Sequence, residues 1–147
     1  MYKVIRNEYI GEDMYLMEVD GKFKGEMGQF YMLRAWDNYP LLSRPISIHD
    51  INENSISFLY KVVGEGTKIL SKLKVDDTIK LEGPYGNGYE KVEGKVALVG
   101  GGIGIAPLYL VAKNIHNCDA YLGFRKEPIL IDKYEEFCNE VNIAIGD

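Results

Sequence analysis

The sequence predicts a small closed antiparallel β barrel of six strands, followed by a partial doubly wound parallel α/β domain. Three observations carry this prediction. Short alternating or apolar runs fill the first two-thirds of the 147-residue chain, with turn residues between them. The character changes near Glu93-Gly94. Beyond it, the continuous apolar run Val96-Ala97-Leu98-Val99 opens onto a glycine cluster, Gly100-Gly101-Gly102-Ile103-Gly104-Ile105-Ala106-Pro107.

The barrel strands are expected at residues 2–9, 13–19, 29–36, 45–50, 55–63 and 78–82. Asp20-Gly21, Asp37-Asn38, Asn52-Glu53-Asn54 and Asp76-Asp77 are turn signals between them. Six short antiparallel strands in this length close most simply into a barrel, which leaves no unpaired edge. One helix interrupts them. Ile69, Leu70 and Leu73 form its apolar face, and Thr67 reads as its N-cap.

In the second part, residues 96–99 read as a strand buried on both faces. Pro107 suits the first turn of a helix whose apolar face is Leu108, Val111, Ala112 and Ile115. Ala120-Tyr121-Leu122-Gly123-Phe124 is a second strand. Leu130, Tyr134, Phe137 and Val141 mark another helix, and Asn142-Ile143-Ala144-Ile145 begins a third strand. The pattern is βαβαβ, half of a doubly wound nucleotide-binding domain. The expected domains are residues 1–93 and 94–147.

Bulk properties narrow the function classes. The net charge is −5 and no Lys/Arg run exceeds a pair, so a nucleic-acid partner is not expected. No run of about 18 apolar residues occurs, so no membrane span is expected. The alternating N-terminus lacks the apolar core of a signal peptide. The expected compartment is the cytoplasm. Cys118 and Cys138, the two cysteines, form no Cys-x-x-Cys pair and read as small buried hydrophobes. No metal site is expected from this chain alone. His49 and His116 read as surface or rim residues.

The chemistry concentrates in two places. Arg44-Pro45-Ile46-Ser47-Ile48 sets an arginine in an apolar strand, which is costly unless its charge meets an anion. Gly64-Glu65-Gly66-Thr67 follows at a short distance and opens a helix, so its free N–H groups also suit an anion. Together they suggest a bound pyrophosphate. Leu59-Tyr60-Lys61 leads into that loop. Its backbone could bond a ring or a ribityl chain, and Tyr60 either offers an aromatic face or belongs to the barrel core. Gly83-Pro84-Tyr85-Gly86-Asn87-Gly88-Tyr89 reads either as a connection or as a loop in close approach to a ring. The 100–107 cluster fails the Gly-x-Gly-x-x-Gly fingerprint but keeps its physics: an apolar strand, a glycine turn and a helix start. A second nucleotide is implied, and two nucleotide sites suggest electron transfer between cofactors.

Taken in order, these elements resemble the ferredoxin–NADP reductase superfamily, a flavin-binding barrel followed by a nicotinamide-nucleotide domain. Arg44, Ile46 and Ser47 fill the superfamily's Arg-x-Tyr-Ser/Thr flavin motif, with isoleucine in the aromatic place. Leu42-x-Arg44-Pro45-Ile46-Ser47-Ile48, Gly64-x-Gly66-Thr67-x-x-Leu70-Ser71, Gly83-Pro84-x-Gly86-Asn87-Gly88 and the 100–108 cluster look like one branch of it. That branch is the electron-transfer subunits of NAD-dependent dihydroorotate dehydrogenase B.

The resemblance implies an FAD site at Arg44, Pro45, Ile46, Ser47, Leu59, Tyr60, Lys61, Gly66 and Thr67. It implies an NAD cleft at Gly101, Gly102 and Gly104. Arg44 would pair with the pyrophosphate, and Ser47 would lie near the N5-bearing side of the ring. Electrons would come from an FMN-containing catalytic subunit in pyrimidine biosynthesis, and the assembly would be a homodimer or heterotetramer. No acid–base residue is needed for the hydride step. The family's [2Fe–2S] cluster uses four cysteines of a C-terminal tail, and Cys118 and Cys138 do not match them. The sequence therefore reads as a C-terminally shortened copy without the cluster, its strand edge at residues 141–145 covered by a second copy. Two other readings are a different NAD(P)H-dependent flavin oxidoreductase of the superfamily, and a flavin-binding module without a complete electron path.

Overall fold

The computed structural model describes residues 1–146. Asp147, the last residue of the expected second domain, lies outside the described residues.

The chain begins with a long hairpin. β1 (Tyr2–Gly11) turns into β2 (Met14–Asp20) through Glu12 and Asp13, both left-handed at φ 54° and 60°. Two left-handed residues match the twist of the flanking strands. β3 (Phe30–Arg34), β4 (Arg44–Ile51), β5 (Ser55–Lys61) and β6 (Thr78–Tyr85) complete a closed barrel in the order β1-β2-β5-β4-β3-β6. Its filling is apolar: Val4, Met17, Val19, Leu33, Ile48, Ile56, Phe58 and Ile79 are fully buried.

α1 (Glu65–Ser71) joins β5 to β6, with Leu70 fully buried. It starts three residues earlier than the sequence suggests. Gly64 is the N-cap and Thr67 stands in the first turn. The Thr67 hydroxyl serves the loop instead, accepting the N–H groups of Val63 (2.9 Å) and Gly64 (3.1 Å). The far end of α1 is satisfied by the barrel, since Asn7 Nδ2 donates to the carbonyls of Leu70 (2.8 Å) and Leu73 (3.0 Å).

The second unit is a parallel sheet in the order β7-β8-β9, built from β7 (Val96–Gly101), β8 (Cys118–Phe124) and β9 (Glu140–Ile145). A 3₁₀ turn (Gly102–Ile105) and α2 (Leu108–Ile115) make the first crossover, and α3 (Ile131–Phe137) the second. Successive right-handed crossovers in one direction put both helices on the same face. Leu98, Ala120, Leu122 and Phe124 are buried on that face. The opposite face stays open, with Val99 73% and Tyr121 44% exposed. The expectation that residues 96–99 are buried on both faces is therefore corrected. β7 is an edge strand, and among the described residues no helix covers its second face.

The barrel and the sheet share their cores. One apolar cluster joins Ile48 and Phe58 to Leu110, Val111, Ala112 and Cys118. Another joins Met14, Leu16 and Leu59 to Ile105, Tyr109, Leu122 and Tyr134. The cysteines, isolated in sequence, meet in space with their sulfurs 3.6 Å apart; Cys118 is buried and Cys138 only half-buried. His49 is fully buried, correcting its reading as a rim residue, while His116 is exposed at the end of α2. Among the described residues, no helix is long and apolar enough to cross a membrane.

Candidate functional site

β4 and β5 pair only as far as Ile48 opposite Phe58. Before Ile48, residues 44–47 of β4 pair with β3 alone; beyond Phe58, residues 59–61 of β5 pair with β2 alone. The two strands part there, and a cleft of about 530 Å³ opens between them. Arg44, Pro45, Ile46 and Ser47 form one wall, and Leu59, Tyr60 and Lys61 the other. Val63 and Thr67 lie at the α1 end, and Ile103, Gly104, Ala106 and Pro107 close the cleft from the sheet.

The phosphate-seeking residues sit together at one end. Arg44 Nε donates to the Ser43 carbonyl at a long 3.3 Å. Among the described residues, no carboxylate forms a salt bridge with its guanidinium. Gly66 lies against the Arg44 stem, near enough that a Cβ there would stand 2.8 Å from Arg44 Cγ and Cδ. Tyr60 is core rather than a free aromatic face. Its ring stacks on Tyr15 at 5.8 Å, and its hydroxyl donates to Asn7 Oδ1 at 2.8 Å. Burial pushes that phenol well above its ordinary pKa.

The glycine cluster divides its work. A Cβ on Gly100 would stand 2.8 Å from Leu108 Cδ1, so this glycine lets strand and helix pack closely. Gly102 is left-handed at φ 54°. Gly101, Gly102 and Gly104 would meet nothing within 4 Å, so their bare backbone borders open space.

Gly101 and Gly102 line a second cleft, of about 890 Å³, at the carboxyl ends of β7, β8 and β9. Open α/β sheets bind ligands at that end. The barrel supplies the opposite wall through Tyr9, Glu12 and Lys61, and Arg125 and Lys126 stand beside the cleft. Lys61 borders both clefts. Glu12 Oε1 accepts the N–H groups of Lys126 (2.8 Å) and Glu127 (3.3 Å), tying the β1–β2 hairpin to the loop after β8. These bonds, led by that from Lys126, hold the Glu12 carboxyl below its usual range.

The sequence-predicted site residues thus fall into two adjoining groups. Arg44, Pro45, Ile46, Ser47, Leu59, Tyr60, Lys61, Thr67 and Gly104 line the first cleft; Gly66 stands behind Arg44; Gly101 and Gly102 line the second. Residues 83–89 line neither. They pack on the β2–β3 connection, where Gln29 Nε2 donates to Gly86 O at 2.8 Å and Tyr89 N–H to Met27 O at 2.9 Å. Glu12, Arg125 and Lys126 escaped sequence reasoning. The signal for Arg125-Lys126 was their place directly after the second parallel strand.

No protein-family model matches the chain. The dihydroorotate dehydrogenase B (NAD(+)) electron transfer subunit of Clostridium acetobutylicum is 48% identical over 99% of it, an alignment that covers 61% of that relative. This chain is a homologue of dihydroorotate dehydrogenase B electron transfer subunits. The subunit of the same name from Caldanaerobacter subterraneus is 42% identical over 90% of the chain and 55% of its own length. The chain spans about three fifths of the curated relatives it matches. Among solved structures, one of an NADH-dependent reduced ferredoxin-NADP oxidoreductase superposes with a TM-score of 0.88 at 30% identity, covering 99% of this chain and 56% of that one. A histidine-to-leucine mutant of ferredoxin-NADP+ reductase from Plasmodium falciparum superposes at 0.79 with 19% identity, covering 99% and 70%, and shares the fold.

Proposed function

We propose that this chain is an FAD-carrying electron-transfer module. It passes electrons between NAD and an FMN-containing dihydroorotate dehydrogenase catalytic subunit, in the cytoplasm and in pyrimidine biosynthesis. Residues 1–93 serve as the FAD unit and 94–147 as part of the NAD unit. One observation carries the reading: the cleft where β4 parts from β5 gathers Arg44, Ser47 and the bare Gly104 backbone, and it adjoins a second cleft at the sheet's carboxyl end through Lys61. The names of the relatives point the same way.

The residues present fit the cofactor. The Arg44 guanidinium lacks a carboxylate partner among the described residues and suits a pyrophosphate. Gly66 leaves room for the Arg44 stem, and Thr67 fixes the loop by its hydroxyl. On the cleft side, residues 59–61 have backbone groups that β4 does not pair, and these are available to a ring edge. Bound FAD supplies hydride and single-electron chemistry, so the protein needs no acid–base residue here. Gly101 and Gly102 admit a dinucleotide backbone closely because no side chain intervenes. A [2Fe–2S] cluster takes four ligands. Cys118 and Cys138 are the chain's two cysteines, so its residues do not fit such a cluster. Pairing of copies along residues 141–145, or assembly with the catalytic subunit, would cover the open sheet edge.

The second reading, another NAD(P)H-dependent flavin oxidoreductase, draws on the 30%-identical oxidoreductase structure. The third is a flavin module without a complete electron path. Anaerobic stopped-flow reduction separates all three. Under the leading reading, bound FAD bleaches with NADH, and with dihydroorotate only when the catalytic subunit is added. Bleaching by NADH with no response to that subunit selects the second reading. No bleaching from either side selects the third.

A further inference from the structure

β4 is bulged at His49, since Ile48 pairs with Phe58 but Asp50 with Ser57. Ile48 lies in the barrel core, and His49 turns outward to the Ala106 carbonyl. Ser47 looks into the first cleft. His49 is fully buried beneath the 3₁₀ turn and α2. Its Nδ1 lies 2.7 Å from the Ala106 carbonyl, and its Nε2 lies 3.2 Å from Lys133 Nζ on α3. Its ring stacks on Tyr109 at 5.0 Å, and Lys133 Nζ sits 4.3 Å over that same Tyr109 ring. These contacts set the proton position. A carbonyl only accepts, so Nδ1 carries the hydrogen. Nε2 then keeps its lone pair and accepts from the Lys133 ammonium. The acid nearest by sequence, Asp50, is engaged by Lys113 at 2.8 Å.

Ala106 itself lines the first cleft, next to Gly104. Its neighbour Ile105 is held separately, its carbonyl accepting the Tyr134 hydroxyl at 2.6 Å. Two consecutive carbonyls of the glycine turn are thus gripped by side chains, and His49 is the grip that comes from the barrel.

We propose that His49 is a positioning residue: as its Nδ1–H tautomer, fixed by Lys133, it sets the spacing between the Ser47 wall of the cleft and the glycine turn that carries Gly104. The consequence for electron transfer rests on the function proposed above. Two cofactors held by these two walls meet at a distance that His49 defines. Hydride transfer is steep in that distance, and a misplacement of about 1 Å can cost about 100-fold in rate.

The test has three arms. In wild-type protein at pH 7, long-range ¹⁵N NMR of the His49 ring should show the neutral Nδ1–H form; an Nε2–H form or an imidazolium overturns the proposal. Amide exchange at Ala106, whose N–H donates to Ile103 O at 3.0 Å, should rise about tenfold in His49→Phe, which keeps a ring against Tyr109 but no donor. His49→Asn, which keeps a donor near the Nδ1 position, should restore most of the protection. Equal exchange in wild type and His49→Phe overturns the proposal. In FAD-loaded protein, His49→Phe should lower the limiting rate of flavin reduction by NADH about tenfold or more while FAD affinity stays within about twofold, with recovery in His49→Asn. An unchanged limiting rate in folded His49→Phe, or equal losses in both variants, contradicts it. Failure of the wild type to take up FAD sinks the function proposed above, and the tautomer and exchange arms then decide the His49 proposal by themselves.

Discussion

Gly66 packs directly against the Arg44 stem, so a side chain at position 66 would have to push that stem aside. A Cβ on Gly66 would stand 2.8 Å from Arg44 Cγ and Cδ and 3.0 Å from Trp36 Cη2. Gly66 also lies in the first turn of α1, where alanine is the better helix former. Gly66→Ala therefore separates stability from binding. With FAD held as proposed, the expected outcome is a thermal midpoint equal to or above wild type and FAD affinity about tenfold weaker, because the guanidinium would be pushed off the pyrophosphate. Calorimetry and flavin fluorescence on the same sample check both halves.

Glu12 reaches across from the β1–β2 hairpin to the N–H groups of Lys126 and Glu127. Its carboxyl is held below the ordinary 4.5, chiefly by the Lys126 bond. For a lowered carboxyl the link is complete above the ordinary value and is lost as pH falls through the folded one, so at neutral pH the link is intact. Glu12→Asn tolerates the left-handed backbone but is too short to reach. It should speed amide exchange at Lys126 and Glu127 and weaken NADH binding about threefold to tenfold. FAD binding should not change.

His49 gives the fold an acid sensitivity with a defined sign. Burial first, and then the Lys133 charge on α3, push its pKa from 6.5 down to about 3, against smaller upward effects of the Ala106 carbonyl and of Asp50 on its own strand. The Tyr109 ring of α2 covers its face. The unfolded chain binds a proton below about 6.5 that the folded one refuses until about 3, so stability from this group is full above the upper value and falls with pH across that window. The slope approaches about 1.4 kcal/mol per pH unit. Urea unfolding between pH 4 and 7 should show it, and His49→Asn should flatten it.

Much of the barrel was legible because alternation with period two, closed off by Asp-Gly and Asn-rich turns, encodes a half-buried strand directly. The cleft residues were legible as types: an arginine and glycines in apolar company have few other uses. What sequence could not show was which surfaces cover which. His49 reads as a rim histidine until α2 lies across the outer face of β4. Val99 reads as buried until both crossovers fall on the other face of the sheet. Cys118 and Cys138 stand twenty residues apart and meet because α3 returns beside the start of β8. Thr67 looked like a cap because threonine is a good one. Here the cap is Gly64, and the hydroxyl ties the loop from inside the first turn.

The central claim is that the cleft between β4 and β5 holds FAD through Arg44. Titration of flavin-free protein with FAD, followed by flavin fluorescence and absorbance, tests it most directly. The account predicts saturation at one FAD per chain, release on denaturation, and affinity about tenfold or more weaker in Arg44→Ala, the loss of charge-assisted hydrogen bonds worth ~1.5–3 kcal/mol. Wild-type protein that takes up no FAD, or an Arg44→Ala variant that binds it as tightly as wild type, would contradict the account.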